Sequence, residues 1–285
     1  MERIIGGYTI IEVMIFLAIS SLLFVSAVIA VGGQQAHTEF STSMRDMNSK
    51  MQDWINQVIA GFSGSESASG ASTYSCGYDP LGYPVLNTTT TTERGANPEC
   101  IFIGKAVQVN TSPPFNESIA VYTVLGRRTV AVSGELVGNL RDAQPAPASF
   151  DKGGLAESYP IQNGARFKCV MKADGTDCEP NGSRMAGFFL SLNTQQNTSQ
   201  TGSQSLNLYQ YSLYKDVDPR TPPIENCIKL TGPDCFVPPA PASPLSPLSK
   251  WRLCFVSTRN SDTAVLSVTS ASGIGAAVNL AFDPC

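Results

Sequence analysis

Few residues in this chain of 285 are placed to do chemistry, and the first is an acid where an acid is expensive. Glu12 stands near the start of a stretch running from Gly6 to Val31, GGYTIIEVMIFLAISSLLFVSAVIAV. From Val13 onward that stretch is apolar apart from small hydroxyl residues. An ionised carboxylate in a membrane segment costs about 2.5–3.5 kcal/mol or more, so such an acid points to a function by default. The second set is eight cysteines, Cys76, Cys100, Cys169, Cys178, Cys227, Cys235, Cys254 and Cys285, all beyond the apolar stretch. An even number on an outer side reads as disulfides formed in an oxidising compartment. Eight cysteines allow about 105 pairings. The simplest joins neighbours: Cys76–Cys100, Cys169–Cys178, Cys227–Cys235 and Cys254–Cys285. No Cys-x-x-Cys pair occurs and the one histidine, His37, precedes all the cysteines, so zinc is not expected.

Other chemistries fare worse. A Ser/His/Asp or Cys/His nucleophile set needs a histidine among the cysteine-bearing residues, and that region has none. Two carboxylates suffice for glycoside hydrolysis, but the acids are scattered without a recognisable motif. Asp174-Gly-Thr-Asp177, between Cys169 and Cys178, offers oxygen ligands to Ca²⁺ but too few for an EF-hand loop. It reads as a disulfide-closed polar turn. Arg127-Arg128 reads as a solvated turn rather than a polyanion contact. A net charge of −4 and a pI near 5.1 argue against a generally nucleic-acid-binding surface, while leaving a local basic patch open. The sequons at Asn110 and Asn197 matter only where the host glycosylates them. No catalytic residue, metal or cofactor is expected.

These residues must be positioned by longer elements, of which the first is a helix. Roughly 20 apolar residues at about 1.5 Å rise span a bilayer core, and the run to Val31 suffices. An ordinary signal peptide has a basic n-region and a small-x-small cleavage site after its apolar run. Here the leader MERIIGG carries one acid and one base, and its small residues Gly6-Gly7 come before the run. Small residues at that end suggest cutting on the cytoplasmic side, which leaves the helix on the mature protein. An uncleaved signal anchor is the plain alternative, but it explains neither Glu12 nor the diglycine.

Gly7-Tyr8-Thr9-Ile10-Ile11-Glu12 followed by VMIFLAI resembles the class III leader of type IV pilins and type II secretion pseudopilins. In that family a prepilin peptidase cuts after the glycine and methylates the new N-terminus. The resemblance implies that Gly7 precedes the cut, that Tyr8 becomes the first mature residue in place of the usual Phe, and that Glu12 is the family's acid. The chemistry is consistent with it. A free α-amino group has an unperturbed pKa of about 7.7–8 and is largely cationic at neutral pH. Glu12 can neutralise such a group on a neighbouring subunit inside an apolar bundle, where register is sharply specified. The competing role is a carboxylate that snorkels to the headgroups. The partners implied are prepilin peptidase, other pilin or pseudopilin subunits, the assembly platform, and membrane lipid before assembly.

Beyond Val31 come Gly32-Gly33-Gln34-Gln35, where apolar character drops. Two glycines weaken a helix by roughly 1 kcal/mol each relative to alanine, so either a site of local melting or a plain membrane exit is expected. Phe40, Met44, Met47, Met51, Trp54, Ile55, Val58 and Phe62 then follow steps of three and four, one face of a continuing helix. The methionines read as packing rather than a copper site. Tyr8 to Phe62 as one helix would measure about 80 Å.

The remainder is short on charge, 15% of residues against about 25% in typical soluble domains, and rich in Ser, Thr, Asn, Gly and Pro. Residues 63–98, with the threonine run Thr88–Thr92, read as loop. Strand patterns cover Cys100–Val109, Arg166–Met171, Met185–Leu192, Leu206–Tyr214, Trp251–Ser257, Thr263–Thr269 and Ala276–Phe282. Ile119–Leu125 and Thr129–Val132 flank a Gly-Arg-Arg turn and read as a hairpin. Proline-rich breaks fall at 145–147, 219–223 and 237–247. The expected fold class is α+β: a leader (1–7), a membrane or filament-core helix (8–31), its amphipathic continuation (32–62) and a disulfide-bonded, mainly antiparallel head (63–285). A C-terminal loop closed by Cys254 and Cys285 is similar to pilins. The resemblance implies a single-pass membrane precursor with its head extracytoplasmic, and a cell-surface or periplasmic filament later. A minor subunit fits the large head. The rivals are a pilin-like adhesin or DNA-uptake subunit, and an anchored extracytoplasmic protein or enzyme that never enters a filament.

Overall fold

A computed structural model describes residues 9–60, 72–92, 100–111, 113–130, 133–138, 140, 142–148, 155–171, 178, 184–190, 206–213, 235–236, 250–271 and 275–285. One helix, α1 (Ile10–Ile59), leads into β1 (Ser72–Tyr78), β2 (Pro84–Thr92), β3 (Cys100–Val109), β4 (Ser118–Arg127), β5 (Ala146–Pro147) and β6 (Ala156–Pro160). Then follow β7 (Ala165–Val170), β8 (Arg184–Leu190), β9 (Leu206–Leu213), β10 (Cys235–Phe236), β11 (Lys250–Ser257), β12 (Thr263–Ala271) and β13 (Gly275–Ala281). The class is α+β, with antiparallel sheets throughout.

Helix α1 begins at a capping box. The Thr9 side chain accepts from the Glu12 amide while the Glu12 carboxylate accepts from the Thr9 amide, so two of the first turn's orphan donors are satisfied. The helix runs through Gly32-Gly33 without a break, and nothing lies within 4 Å of where a Cβ would stand at either glycine. It ends at Ile59 with Ala60 as C-cap, short of the expected Phe62, which lies outside the described residues.

Two sheets receive its second half. The larger has the order β10-β9-β8-β3-β4-β5, with β6 also paired to β4; the smaller runs β13-β12-β11-β7. Phe40, Met44, Met47, Met51, Trp54, Ile55 and Val58 are each at most 1% exposed. They pack on Val107, Val109, Ile119, Val121 and Phe188 of the larger sheet and on Phe167, Trp251, Leu253, Phe255, Leu266 and Val268 of the smaller. At about 1.5–3 kcal/mol per fully buried large side chain, this stripe holds the helix to the head. Phe167–Phe255 and Phe188–Trp251 meet edge to face, with centroids 5.7 and 6.4 Å apart.

Three differences from the sequence pattern have physical causes. Within 63–98, expected to be loop, β1 and β2 form a two-stranded sheet, because β-branched threonines suit a pleat. Its turn is built by Asp79, whose Oδ1 accepts from the Leu81 and Tyr83 amides at 2.9 Å, and by Gly82 at φ +88°. Secondly, the expected turn at Gly126-Arg127-Arg128 is not there. Strand β4 continues to Arg127, which pairs with Cys100, while Thr129 bridges Leu136 instead of turning back. Gly126 serves close packing, since a Cβ there would sit 3.2 Å from Ala143. Thirdly, Pro147 falls in β5 at the end of the sheet path, where proline's missing donor is tolerated.

Cys76–Cys100, Cys169–Cys178 and Cys254–Cys285 are disulfide-bonded, with Cα separations of 6.0, 5.6 and 5.9 Å. Cys235 opens β10, and its suggested partner Cys227 lies outside the described residues.

Candidate functional site

The first half of α1 is left uncovered by the described residues. Ile10, Ile11, Met14, Phe16, Leu17, Leu22, Leu23, Phe24 and Ile29 are all at least 60% exposed. The helix is long and apolar enough to cross a membrane, and its most apolar section is wholly unburied. Two of the serine hydroxyls in this half are satisfied within the helix. Ser21 and Ser26 donate to the carbonyls of Ala18 and Leu23, each at 2.9 Å, so they present no unsatisfied donor to an apolar surround. Glu12 stands at the start of this surface, exposed, and hydrogen-bonded within its own first turn. Gly7 and Tyr8, the residues flanking the expected cut, lie outside the described residues.

The head grips the helix from position 37 onward. His37 Nδ1 lies 2.7 Å from Asp262 Oδ2, and Asn260 Nδ2 donates to the same oxygen at 2.7 Å. Arg259 pairs with Glu39, and Ser43 Oγ donates to the Gln162 carbonyl at 2.9 Å. The turn between β11 and β12 thus clasps α1 where it enters the head. His37 is 65% exposed, so this clasp is a solvent-screened contact rather than a buried dyad.

Further along, a polar seam joins α1 to β6 and β3. Trp54 Nε1 donates to Glu157 Oε1 at 2.7 Å, and Tyr159 stacks edge-on to Trp54 while donating to Asp46. Lys50 lies 5.8 Å from the Tyr159 ring centroid. Burial, reinforced by the hydrogen bond to Asp46 and the nearby negative charge, pushes the Tyr159 hydroxyl up to about 12. Lys105 of β3, two residues from Val107 on the same face, is 5% exposed. Burial lowers its amine from the ordinary lysine range, with Glu157 and Asp53 opposing.

Several sequence-predicted residues change meaning. Arg127 is occupied: its guanidinium lies 4.3 Å from the Tyr78 ring centroid and its Nη1 donates to Gly82 O and Gln144 Oε1. It fastens the β1–β2 hairpin to the larger sheet. Asn110 is 1% exposed, which closes that sequon to a folded-state modification. Asp174, Asp177 and Asn197 lie outside the described residues. Three cysteine sulfurs, of Cys169, Cys178 and Cys254, lie within 4.8 Å of one another, but each is bonded in a disulfide. Thr9 escaped the sequence reading, although Thr-x-x-Glu is a capping signature. The pairing of His37 with Asp262 had no local signal. No family model, curated protein or solved structure matches the chain.

Proposed function

We propose that this chain is a pilin-like structural subunit, a minor pilin, trimmed by prepilin peptidase between Gly7 and Tyr8 and assembled through α1 into a type IV pilus or a pseudopilus. Before assembly it sits in the cytoplasmic membrane as a single-pass protein with its head outside. Afterwards it belongs to a periplasmic or surface filament. Its partners are the peptidase, other subunits of the same kind, the assembly platform and, first, lipid. It acts by assembly rather than catalysis, without a cofactor.

The observation that carries this reading is the division of one continuous helix. The apolar residues from Phe40 to Val58 are buried on the head, while those from Ile10 to Ile29 are bare. A surface of that kind needs lipid or neighbouring helices around it. Glu12 at its N-terminal end, far from the head, supplies a charge that fixes register against a neighbour's α-amino group.

A second reading has its own support. The capping box gives Glu12 a local task, so an anchored extracytoplasmic protein that never forms a filament also accommodates the acid. Intact-mass measurement of the membrane-extracted protein separates the two. A chain beginning at methylated Tyr8 supports the subunit, and one retaining Met1 supports the anchor. An adhesin or DNA-uptake role for the head is tested by binding of the whole filament to cells and to DNA.

A further inference from the structure

On the face of the smaller sheet turned away from α1, two disulfides lie side by side. Cys169 of β7 and Cys254 of β11 are directly opposed in the antiparallel register. They form a small apolar cluster with Met171 and Val265, against which Cys178, Val256 and Cys285 pack. The bonds, however, run elsewhere, Cys169 to Cys178 and Cys254 to Cys285. Directly opposed residues on antiparallel strands have Cα atoms about 4.5–5.5 Å apart, within the roughly 4.4–6.8 Å that a disulfide accepts. The sulfurs of Cys169, Cys178 and Cys254 lie within 4.8 Å of one another, so a cross-strand Cys169–Cys254 bond is within reach of the pairing that is made.

Exposure ranks them. Cys169 is 4% and Cys254 0% exposed, whereas Cys178 and Cys285 are half-buried. An incoming thiol reaches an outer sulfur first, and the thiolate it displaces is an inner one, close to the second disulfide.

We propose that this cluster is a thiol–disulfide exchange site that an external thiol sets in motion and whose product is the alternative pairing, Cys169–Cys254 with Cys178–Cys285. The thiolate of the external thiol attacks Cys178 Sγ, forming a mixed disulfide and expelling the Cys169 thiolate. Cys169 attacks Cys254 Sγ, makes the cross-strand bond and expels the Cys285 thiolate. Cys285 attacks Cys178 Sγ and returns the external thiolate. Two disulfides are present before and after, no electrons are gained or lost, and the thiol is a catalyst. Stopped at the first step, the same chemistry attaches a thiol-bearing partner covalently at Cys178.

Trypsin separates all four cysteines, cutting after Lys168, Lys172, Arg184, Arg252 and Arg259. The detergent-solubilised full chain is incubated with and without a substoichiometric amount of reduced glutathione, quenched in acid with an alkylating agent, digested and mapped without reduction. The expected result is a thiol-dependent appearance of the Cys169–Cys254 and Cys178–Cys285 linked peptides. A map unchanged by the thiol overturns the proposal. In Cys178→Ser, the thiol left on Cys169 is expected to pass to Cys285, so that most alkylation falls on the Cys285 peptide. Label confined to Cys169 overturns it equally. If that variant does not fold, the wild-type map alone decides.

Discussion

The indole nitrogen of Trp54 donates to the carboxylate of Glu157 at 2.7 Å, joining the middle of α1 to strand β6 across 103 residues of chain. Trp54 is 1% exposed, so its N–H has no access to bulk water if the acceptor is lost. Trp54→Phe keeps most of the ring's packing and deletes the donor. It is expected to cost about 1.5–3 kcal/mol, the range for hydrogen bonds to charged groups. Trp54→Ala adds a cavity and is expected to cost about 3–5 kcal/mol. Denaturant unfolding of the detergent-solubilised chain, followed by near-UV circular dichroism, measures both.

Tyr159 holds its proton to about pH 12 in the fold, against about 10 for an unperturbed tyrosine. Its neutral form is therefore favoured by folding. The associated stability is fully present below about pH 10 and is lost as pH rises from there towards 12. Absorbance titration of tyrosinate should show a late-ionising component contributed by Tyr159 in the native protein. Tyr159→Phe should remove that late component, and Asp46→Asn should move it to lower pH.

Lys105 makes the opposite case. Its amine is buried at the helix seam and its pKa is lowered, so the charged form is disfavoured by folding. The unfolded chain holds that proton over a wider pH range, and stability rises with pH up to the unfolded lysine value of about 10.4. Lys105→Met keeps the stem's volume without the charge and is expected to be neutral or stabilising by about 1 kcal/mol, as replacements of buried charges often are. The gain should be largest at neutral pH and shrink towards pH 10. A loss of stability at pH 7 would mean that Glu157 and Asp53 outweigh the burial cost.

The helix and its core stripe were legible because apolar side chains recur at helical spacing from Phe40 to Val58, and those seven residues are the ones that meet the sheets. The strands β3, β11 and β12 were legible from short runs rich in apolar, β-branched and aromatic residues. Strand β6, with the sequence AESYP and partly exposed, carries no such pattern, since an edge strand needs little apolar character. Gly126 misled because a glycine before two arginines has the composition of a turn, while its use here is close contact with Ala143. At the candidate site Glu12 stood out as a charge in an apolar run. Its partner Thr9 did not, although the signal lay three residues away. His37 and Asp262 are 225 positions apart, and only the sheet topology brings them together.

Glu12 has one task in the fold and a second under the proposed function, and one substitution divides them. Within its own chain it completes the capping box with Thr9, a role that glutamine also fills. In the proposed filament it would offer a neighbouring subunit a negative charge, which glutamine lacks. Thr9→Val breaks the cap and keeps the charge, at an expected cost of about 0.5–2 kcal/mol to the first turn. Hydrogen exchange of the Glu12 amide, which donates to the Thr9 hydroxyl, should quicken in Thr9→Val and change little in Glu12→Gln in micelles. Filament yield should follow the other ranking: reduced slightly by Thr9→Val and severely by both Glu12→Gln and Glu12→Ala. If Glu12→Gln assembles as well as the parent, the charge has no part in register. The acid is then a helix cap, and the anchored, non-filamentous reading gains.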